Sequence, residues 1–530
     1  MKKLLSTIAL AASSLLASAE VNYQVVPLPQ HISIDAGGKF VTLSEGMTVA
    51  YPAGNARMQR NAEFASEYFG CQTKASDKKH ADINLTLGMK SDNPDAYTIT
   101  VGKSGITIQG ASESGVFYGI QTLRKSILNE TGEVRLPYAT VSGSPRFSYR
   151  GVHLDCARHF FPVSFVKKYI DILALHGVNR FHWHLTDDQG WRFEVKALPD
   201  LARKASVRPN TILGRNLYLD NPSVTLYDDS PETGYYTQEE MREVVRYAAE
   251  RFITIIPEID LPGHMIAALS VYPELGCTGG PYEVWRLWGI SDDVLCAGNP
   301  KTLEFLKTVY GELCDVFPSE MIHIGGDESP RVRWEKCPKC QAKMQELGLK
   351  KEAELQTYIN KEMEKFLSGR GRQIIGWDET LEGGLSEKAA VMSWRGQDGG
   401  KTAARLHHQV VMTPTSHCYF DYYQLQSRDA QPLGIGGYVP LSKVYSLEPV
   451  PAELTEEEAG YIIGVQCNLW SEYMVSPDHV EFMLLPRLAA MSEVQWLKPE
   501  EKDFEKFVGR LEGLKMSYRK LGFKYCPQNE

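Results

Sequence analysis

Two neighbouring carboxylates, Asp327 and Glu328, end the short apolar run MIHIGGDE over 321–328. Five other such runs end in groups able to do chemistry. They deliver Asp155 and Arg158; His184, Asp187 and Asp188; Glu258, Asp260 and His264; Trp377, Asp378 and Glu379; and Trp470 with Glu472. Some of these carboxylates will cap helices or bridge strands instead. So many acids beside tryptophans, with no glycine-rich phosphate loop, point to a sugar site. Cleaving a glycoside needs a proton donor at the leaving oxygen and negative charge opposite the anomeric carbon. Indole faces bind the apolar faces of pyranose rings.

Two other chemistries compete. His182-Trp183-His184 is an HxH, and His153, His264 and His323 lie in other runs, as a metal-dependent hydrolase would need. In amidohydrolase-like barrels, however, the HxH belongs to the first strand, and later strands supply Lys and His. Here the later runs supply Asp, Glu and Trp, so neither a metal nor a cofactor is expected. A catalytically silent glycan binder would be marked by loss of the acid, and Glu328 is present. The ten cysteines include Cys337-Pro338-Lys339-Cys340, a CxxC without a second CxxC or an HxxxH nearby to complete a zinc site. A local disulfide or two free thiols is expected there, and Cys277 with Cys296 is the best candidate disulfide pair.

The elements that must position these groups have a regular rhythm. Eight runs recur after Arg150: RGVHLDCAR, RFHWHLTDD, ITIIPEIDLPGH, MIHIGGDE, QIIGWDE, AVMSWR, QVVMTPT and GVQCNLWSE. Helical stretches separate them. Between the first two, Phe165, Val166, Tyr169, Ile170, Leu173 and Ala174 have helical spacing, and Gly177 stops the helix. Thr237 and Glu240 form a capping box before the third. Eight strands alternating with helices predict an α/β fold, a (β/α)8 TIM barrel over 149–530, whose active site lies at the strands' C-terminal ends. The stretch EFMLLPRLAAMSEVQWL is expected to form one closing helix, with Phe504–Leu521 packed outside. Residues 20–148 predict a small α+β domain, its strands including QVVPLPQHISI and its helix SGVFYGIQTLRKSIL.

Residues 1–19 read as a signal peptide: Lys2 and Lys3, an apolar run, then Ala17-Ser18-Ala19. Export to the periplasm or beyond the cell is therefore expected. No later segment is apolar enough to span a bilayer. The net charge of −9 argues against nucleic acid or an anionic membrane as the main partner.

The stretches GVFYGIQTLR, RGVHLDCARHFF, FHWHLTDDQGWR, IIPEIDLPGH, HIGGDE, GWDE and LWSE, in this order, resemble glycoside hydrolase family 20, the β-N-acetylhexosaminidases. The resemblance runs from about residue 25 to 500. It implies an exo-acting, retaining enzyme that removes terminal β-linked GlcNAc or GalNAc from oligosaccharides. Catalysis would be substrate-assisted, through an oxazolinium ion. Glu328 would be the general acid/base, Asp327 would orient the 2-acetamido group, and Tyr419 would donate to the acetamido oxygen. Trp377, Trp394 and Trp470 would wall the sugar. Arg158, Asp421 and Glu472 would grip its outer hydroxyls, and Asp187 with His264 would support Glu328. Relatives commonly dimerise, so a homodimer is among the states the resemblance allows.

Overall fold

The computed structural model describes residues 21–44, 46–69, 75–76, 81–130, 133–214 and 226–530. The expected signal peptide lies outside them. Each of the eight apolar runs forms a strand, and the eight close a barrel: β1 Tyr149–Asp155, β2 Arg180–His184, β3 Thr254–Glu258, β4 Met321–His323, β5 Gln373–Trp377, β6 Ala390–Ser393, β7 Val410–Met412 and β8 Ile462–Cys467. All neighbours are parallel, with β8 returning to β1. The register sets Asp155 beside His184, His184 beside Glu258, and Glu258 beside His323. One layer at the strands' C-terminal ends is therefore polar.

Helices form where spacing and caps predict. Val163–Leu175 buries Phe165, Val166, Tyr169, Ile170, Leu173 and Ala174, and ends in Gly177 at φ +71. A Cβ at Gly177 would also lie 2.6 Å from the Trp496 indole. The Thr237/Glu240 capping box is present on Gln238–Ala249. The closing helix is not continuous. It divides into Pro477–Leu484 and Arg487–Trp496 at Pro486, which has no N–H for the helical ladder. The expected strand QVVPLPQHISI is shortened to His31–Ile34, because Pro27 and Pro29 cannot donate to a sheet.

The preceding domain is a seven-stranded sheet. Its order is His31–Ile34, Ala139–Gly143, Tyr97–Gly102, Gly105–Gly110, Ile83–Leu87, Val49–Ala50 and Ala75–Ser76. Helices Ala56–Tyr68 and Glu113–Ile127 pack against it and each other. Buried groups weld it to the barrel. Arg150 Nη2 lies 2.8 Å from Asp95 Oδ2 and donates to Tyr118 Oη at 2.9 Å. Lys125 Nζ donates to the Val26 and Leu175 carbonyls, and burial lowers its pKa to about 7. Arg150 is fully buried and Asp95 partly so, and truncating Asp95 would leave a buried cation without its charged partner. The last helix, Phe504–Leu521, docks outside the barrel through Tyr518 Oη, 2.6 Å from His176 Nε2. Among the described residues no helix is long and apolar enough to cross a membrane.

Candidate active site

The acidic pair is presented by a backbone that only certain residues tolerate. After β4 the chain passes through Gly325 (φ +64) and Gly326 (φ +96). A Cβ at Gly325 would fall 1.7 Å from Asp260 Oδ1, and the Gly326 amide donates to that same oxygen at 2.8 Å. The two glycines thus let the loop cross Asp260 and turn Asp327 and Glu328 inward. Glu328 itself holds φ +44, and His264, facing it, holds φ +51. Left-handed non-glycine residues persist only where their surroundings over-determine them, and they cluster at functional sites.

His264 joins two layers of acid. Its Nδ1 is 3.1 Å from Asp187 Oδ1 and 3.2 Å from Asp188 Oδ2. Its Nε2 is 3.6 Å from Glu328 Oε2 and 3.8 Å from Asp327 Oδ2. Burial opposes charge on the ring, but Asp187, Asp188 and Glu328 outweigh it and hold the imidazole pKa well above its ordinary value. The cation then faces Asp327 and Glu328. Asp187 also lies 2.9 Å from Arg158 Nη2 and 2.9 Å from His184 Nε2. Burial would raise its pKa, yet Arg158 and His264 pull it far below the usual carboxylate range.

The cavity above holds about 260 Å³. Its walls are Arg158, Asp327, Glu328, Trp394, Tyr419, Asp421, Trp470 and Glu472, with Trp288, Gly289, Ile290, Tyr422 and Ile435. Eight of the eleven expected site residues therefore meet there. Asp187, His264 and Trp377 stand behind. Trp377 is buried, donates from Nε1 to Glu258 Oε1 at 3.0 Å and backs Trp470 at 5.8 Å between ring centroids. Trp394 stacks with Tyr419 at 6.1 Å and donates to Glu379 at 2.9 Å. Burial, with the nearby charge of Asp327, raises the Glu379 pKa to about 8. Tyr419 is aligned with the tip of β8 by backbone bonds of Cys418 and Phe420 to Asn468, each 2.8 Å. Buried Arg487 holds this segment by donating to the Phe420 and Tyr422 carbonyls.

Three cavity acids keep a buried oxygen without a hydrogen-bond partner: Asp327 Oδ1, Asp421 Oδ1 and Glu472 Oε2. Burial raises the pKa of all three above the ordinary carboxylate range. Glu328 adds to this at Asp327 and Glu472 at Asp421, while His264 and Arg158 oppose it at Asp327 and Glu472. Such groups are costly unless a ligand completes them.

The histidine cluster below is of another kind. Glu258 lies 2.5 Å from His184 Nδ1, 2.9 Å from His182 Nε2 and 2.8 Å from His323 Nδ1. All three spacings are shorter than the about 3.3 Å between ligand atoms that stand about 2.0–2.1 Å from one tetrahedral metal, and the His184 contact is a hydrogen bond. A larger cleft, about 720 Å³, opens between Asp92, Asp95, Arg180 and Ile462 at the strands' N-terminal ends, away from this polar rim. The expected Cys277–Cys296 disulfide is not formed, and neither is a local Cys337–Cys340 bridge. All four thiols gather instead at one point, a convergence that their spacing along the chain does not signal.

The sequence profile "Glycosyl hydrolase family 20, catalytic domain" matches residues 147–499, and "domain 2" of the same family matches 22–142. The chain belongs to glycosyl hydrolase family 20. It is 42% identical over 451 residues to a β-hexosaminidase of Porphyromonas gingivalis, covering 84% of this chain but 56% of that one. The chain thus spans little more than half the length of that relative. Among solved structures it resembles the family 20 β-N-acetylhexosaminidase of Streptomyces coelicolor (TM-score 0.82, 28% identity, 97% of this chain and 99% of that one). It also resembles an exo-β-N-acetylglucosaminidase of Vibrio harveyi in complex with N-acetylglucosamine (TM-score 0.83, 32% identity, 99% and 81%). The wall residues Trp288, Gly289, Ile290 and Ile435 escape sequence reasoning. They lie in irregular segments that carry no periodicity, and only Trp288 bears a chemical hint.

Proposed function

We propose that the chain is an exported, exo-acting β-N-acetylhexosaminidase, which hydrolyses terminal β-linked GlcNAc or GalNAc with retention and uses the sugar's acetamido group as nucleophile. The observation that carries this is the trio of unpartnered oxygens on Asp327, Asp421 and Glu472 around one small tryptophan-walled cavity. A carboxylate oxygen accepts, so each calls for a ligand O–H or N–H. A cavity of about 260 Å³ lies below the ~300–1,000 Å³ of pockets that hold drug-sized ligands, which favours one terminal ring.

Asp327 Oδ1 accepts the acetamido N–H and turns the carbonyl oxygen towards the anomeric carbon. That oxygen attacks as the glycosidic bond breaks, and Glu328 gives its proton to the departing oxygen. Tyr419 donates its hydroxyl to the acetamido oxygen. The resulting oxazolinium ion is opened by water, whose proton returns to Glu328, so the enzyme is restored and the anomeric configuration kept. A nucleophile already attached to the substrate gives this step the high effective concentration of an intramolecular reaction. His264, cationic between Asp187 and Glu328, helps Glu328 carry negative charge after proton transfer.

The test is hydrolysis of a chromogenic N-acetyl-β-glucosaminide followed by NMR. The β-anomer is expected as first product, with slower turnover of the N-trifluoroacetyl analogue, whose carbonyl is a poorer nucleophile. Equal rates on the two would remove substrate assistance, and equal rates on a β-glucoside without the amide would remove the assigned substrate class.

A further inference from the structure

Away from the catalytic cavity, the structure brings Cys277, Cys296, Cys337 and Cys340 together, with all four sulfurs within 4.8 Å of one another. Cys296, Cys337 and Cys340 are buried and Cys277 is half-buried. The Sγ–Sγ distances are 3.8 Å for Cys277–Cys340, 3.7 Å for Cys296–Cys337 and 3.6 Å for Cys296–Cys340. A disulfide would need about 2.05 Å. Four sulfurs each about 2.3 Å from one tetrahedral zinc stand about 3.8 Å apart.

We propose that this tetrad is a structural zinc site with four thiolate ligands, which fastens the loop after β3 to the helix that follows the catalytic pair. The two halves are built to meet. Gly276 and Leu295 form an antiparallel bridge, and the Cys296 amide donates to the Leu275 carbonyl at 2.8 Å, which brings Cys277 and Cys296 to diagonal positions across the bridge. On the other half, Cys337 immediately precedes the helix Pro338–Leu347 and Cys340 lies in its first turn. The positive end of the helix dipole favours thiolate there.

Gly298 sits where the halves touch. A Cβ on it would lie 2.1 Å from the Lys339 carbonyl carbon and oxygen and 2.5 Å from the Cys340 nitrogen. Its amide is directed at the Cys296 and Cys340 sulfurs, and a donor so placed steadies a thiolate that is bound to metal. Arg333 pairs with Asp293 through contacts of 2.8 and 3.0 Å, and Trp334 Nε1 donates to the Leu295 carbonyl at 2.9 Å, so the same two segments are already joined around the sulfurs. Zinc binding expels the remaining thiol protons to solvent and changes no oxidation state.

The consequence for the cavity is mechanical. The clamped loop, 276–298, carries Trp288, Gly289 and Ile290 of the cavity wall, while the clamped helix lies only a short segment beyond Asp327 and Glu328. The rival occupant of an oxidising compartment is a pair of disulfides among the same four residues.

Metal analysis of the purified full chain, after passage over a chelating resin, distinguishes them. About one zinc per chain is expected, with all four cysteines recovered as thiols when the protein is denatured in EDTA without reductant and mapped by mass spectrometry. Cobalt added to the stripped chain should give tetrahedral thiolate–cobalt absorption bands. Stripping should expose 276–298 to limited proteolysis, and zinc should restore protection. The double variant Cys337→Ser/Cys340→Ser should lose the metal, whereas Cys156→Ser, a buried cysteine elsewhere, should keep it. A metal-free chain overturns the proposal, whether its four cysteines map as disulfides or as free thiols that give no cobalt bands. None of these outcomes depends on the catalytic assignment.

Discussion

The acids at the top of this barrel fall into two groups that differ in how many of their oxygens are occupied. Below, Asp155 accepts from the amides of Ala157, Arg158 and Ser471, Asp187 is held by His184, His264, Arg158 and the Asp188 amide, and Glu258 is ringed by three histidines and Trp377. Above, Asp327, Asp421 and Glu472 each keep a buried oxygen free. In the lower group burial is outweighed by positive neighbours, Arg158 for Asp155 and Asp187 and His323 and His184 for Glu258, and the carboxyl pKa values are depressed. In the upper group burial prevails and the pKa values are raised. The same residue types, one layer apart, are structural where the protein completes them and ligand-seeking where it does not.

The sharpest way to break this comparison is Glu328→Gln. Loss of the proton donor is expected to lower kcat on an unactivated β-N-acetylglucosaminide by about 10²–10⁴-fold, with the unfolding midpoint little changed. A variant of full activity would show that the cavity, however well formed, works by another acid. Next is Glu258→Gln in the lower group. Removing one member of a buried charge cluster should cost about 3 kcal/mol of unfolding free energy, read by urea denaturation. Asp421→Asn should behave oppositely. We expect kcat/KM to fall by about 10–100-fold, the value of one or two hydrogen bonds to a charged group, while stability is unchanged or slightly higher. A destabilised Asp421→Asn would place that residue in the lower group.

The smallest effect is the pH dependence of stability. Asp187 and Glu258 have folded pKa values below their unfolded ones, so their contribution is present above about pH 4 and is lost as pH falls further. His184, opposed by burial but raised by Glu258 and Asp187 to about 10, contributes fully below about pH 6.5 and is lost as pH climbs towards 10. Asp327, Asp421 and Glu472, whose pKa values are raised, lose stability as pH climbs past about 4, so urea midpoints should pass through a maximum, falling below about pH 4 and again towards alkaline pH. The alkaline decline should be shallower in His184→Asn, where only His264 of the two raised imidazoles remains, and retained in Asp421→Asn.

What the amino-acid sequence determined by itself is whatever depends on near neighbours. Strand tips follow from short apolar runs that end in polar residues, so all eight barrel strands and the exit positions of Asp327, Glu328, Trp470 and Glu472 are legible. Helix ends follow from local caps, as at Thr237 and Gly177. Only the tertiary structure decided which acids are saturated, because the partners of Glu258 on β3 arrive from β2, β4 and β5. It also decided that Cys277 and Cys296 meet Cys337 and Cys340, and that Trp288 and Ile290 wall the cavity. Local pattern carries backbone conformation, whereas hydrogen-bond saturation and metal-like geometry arise between segments far apart in the chain, and no periodicity encodes them.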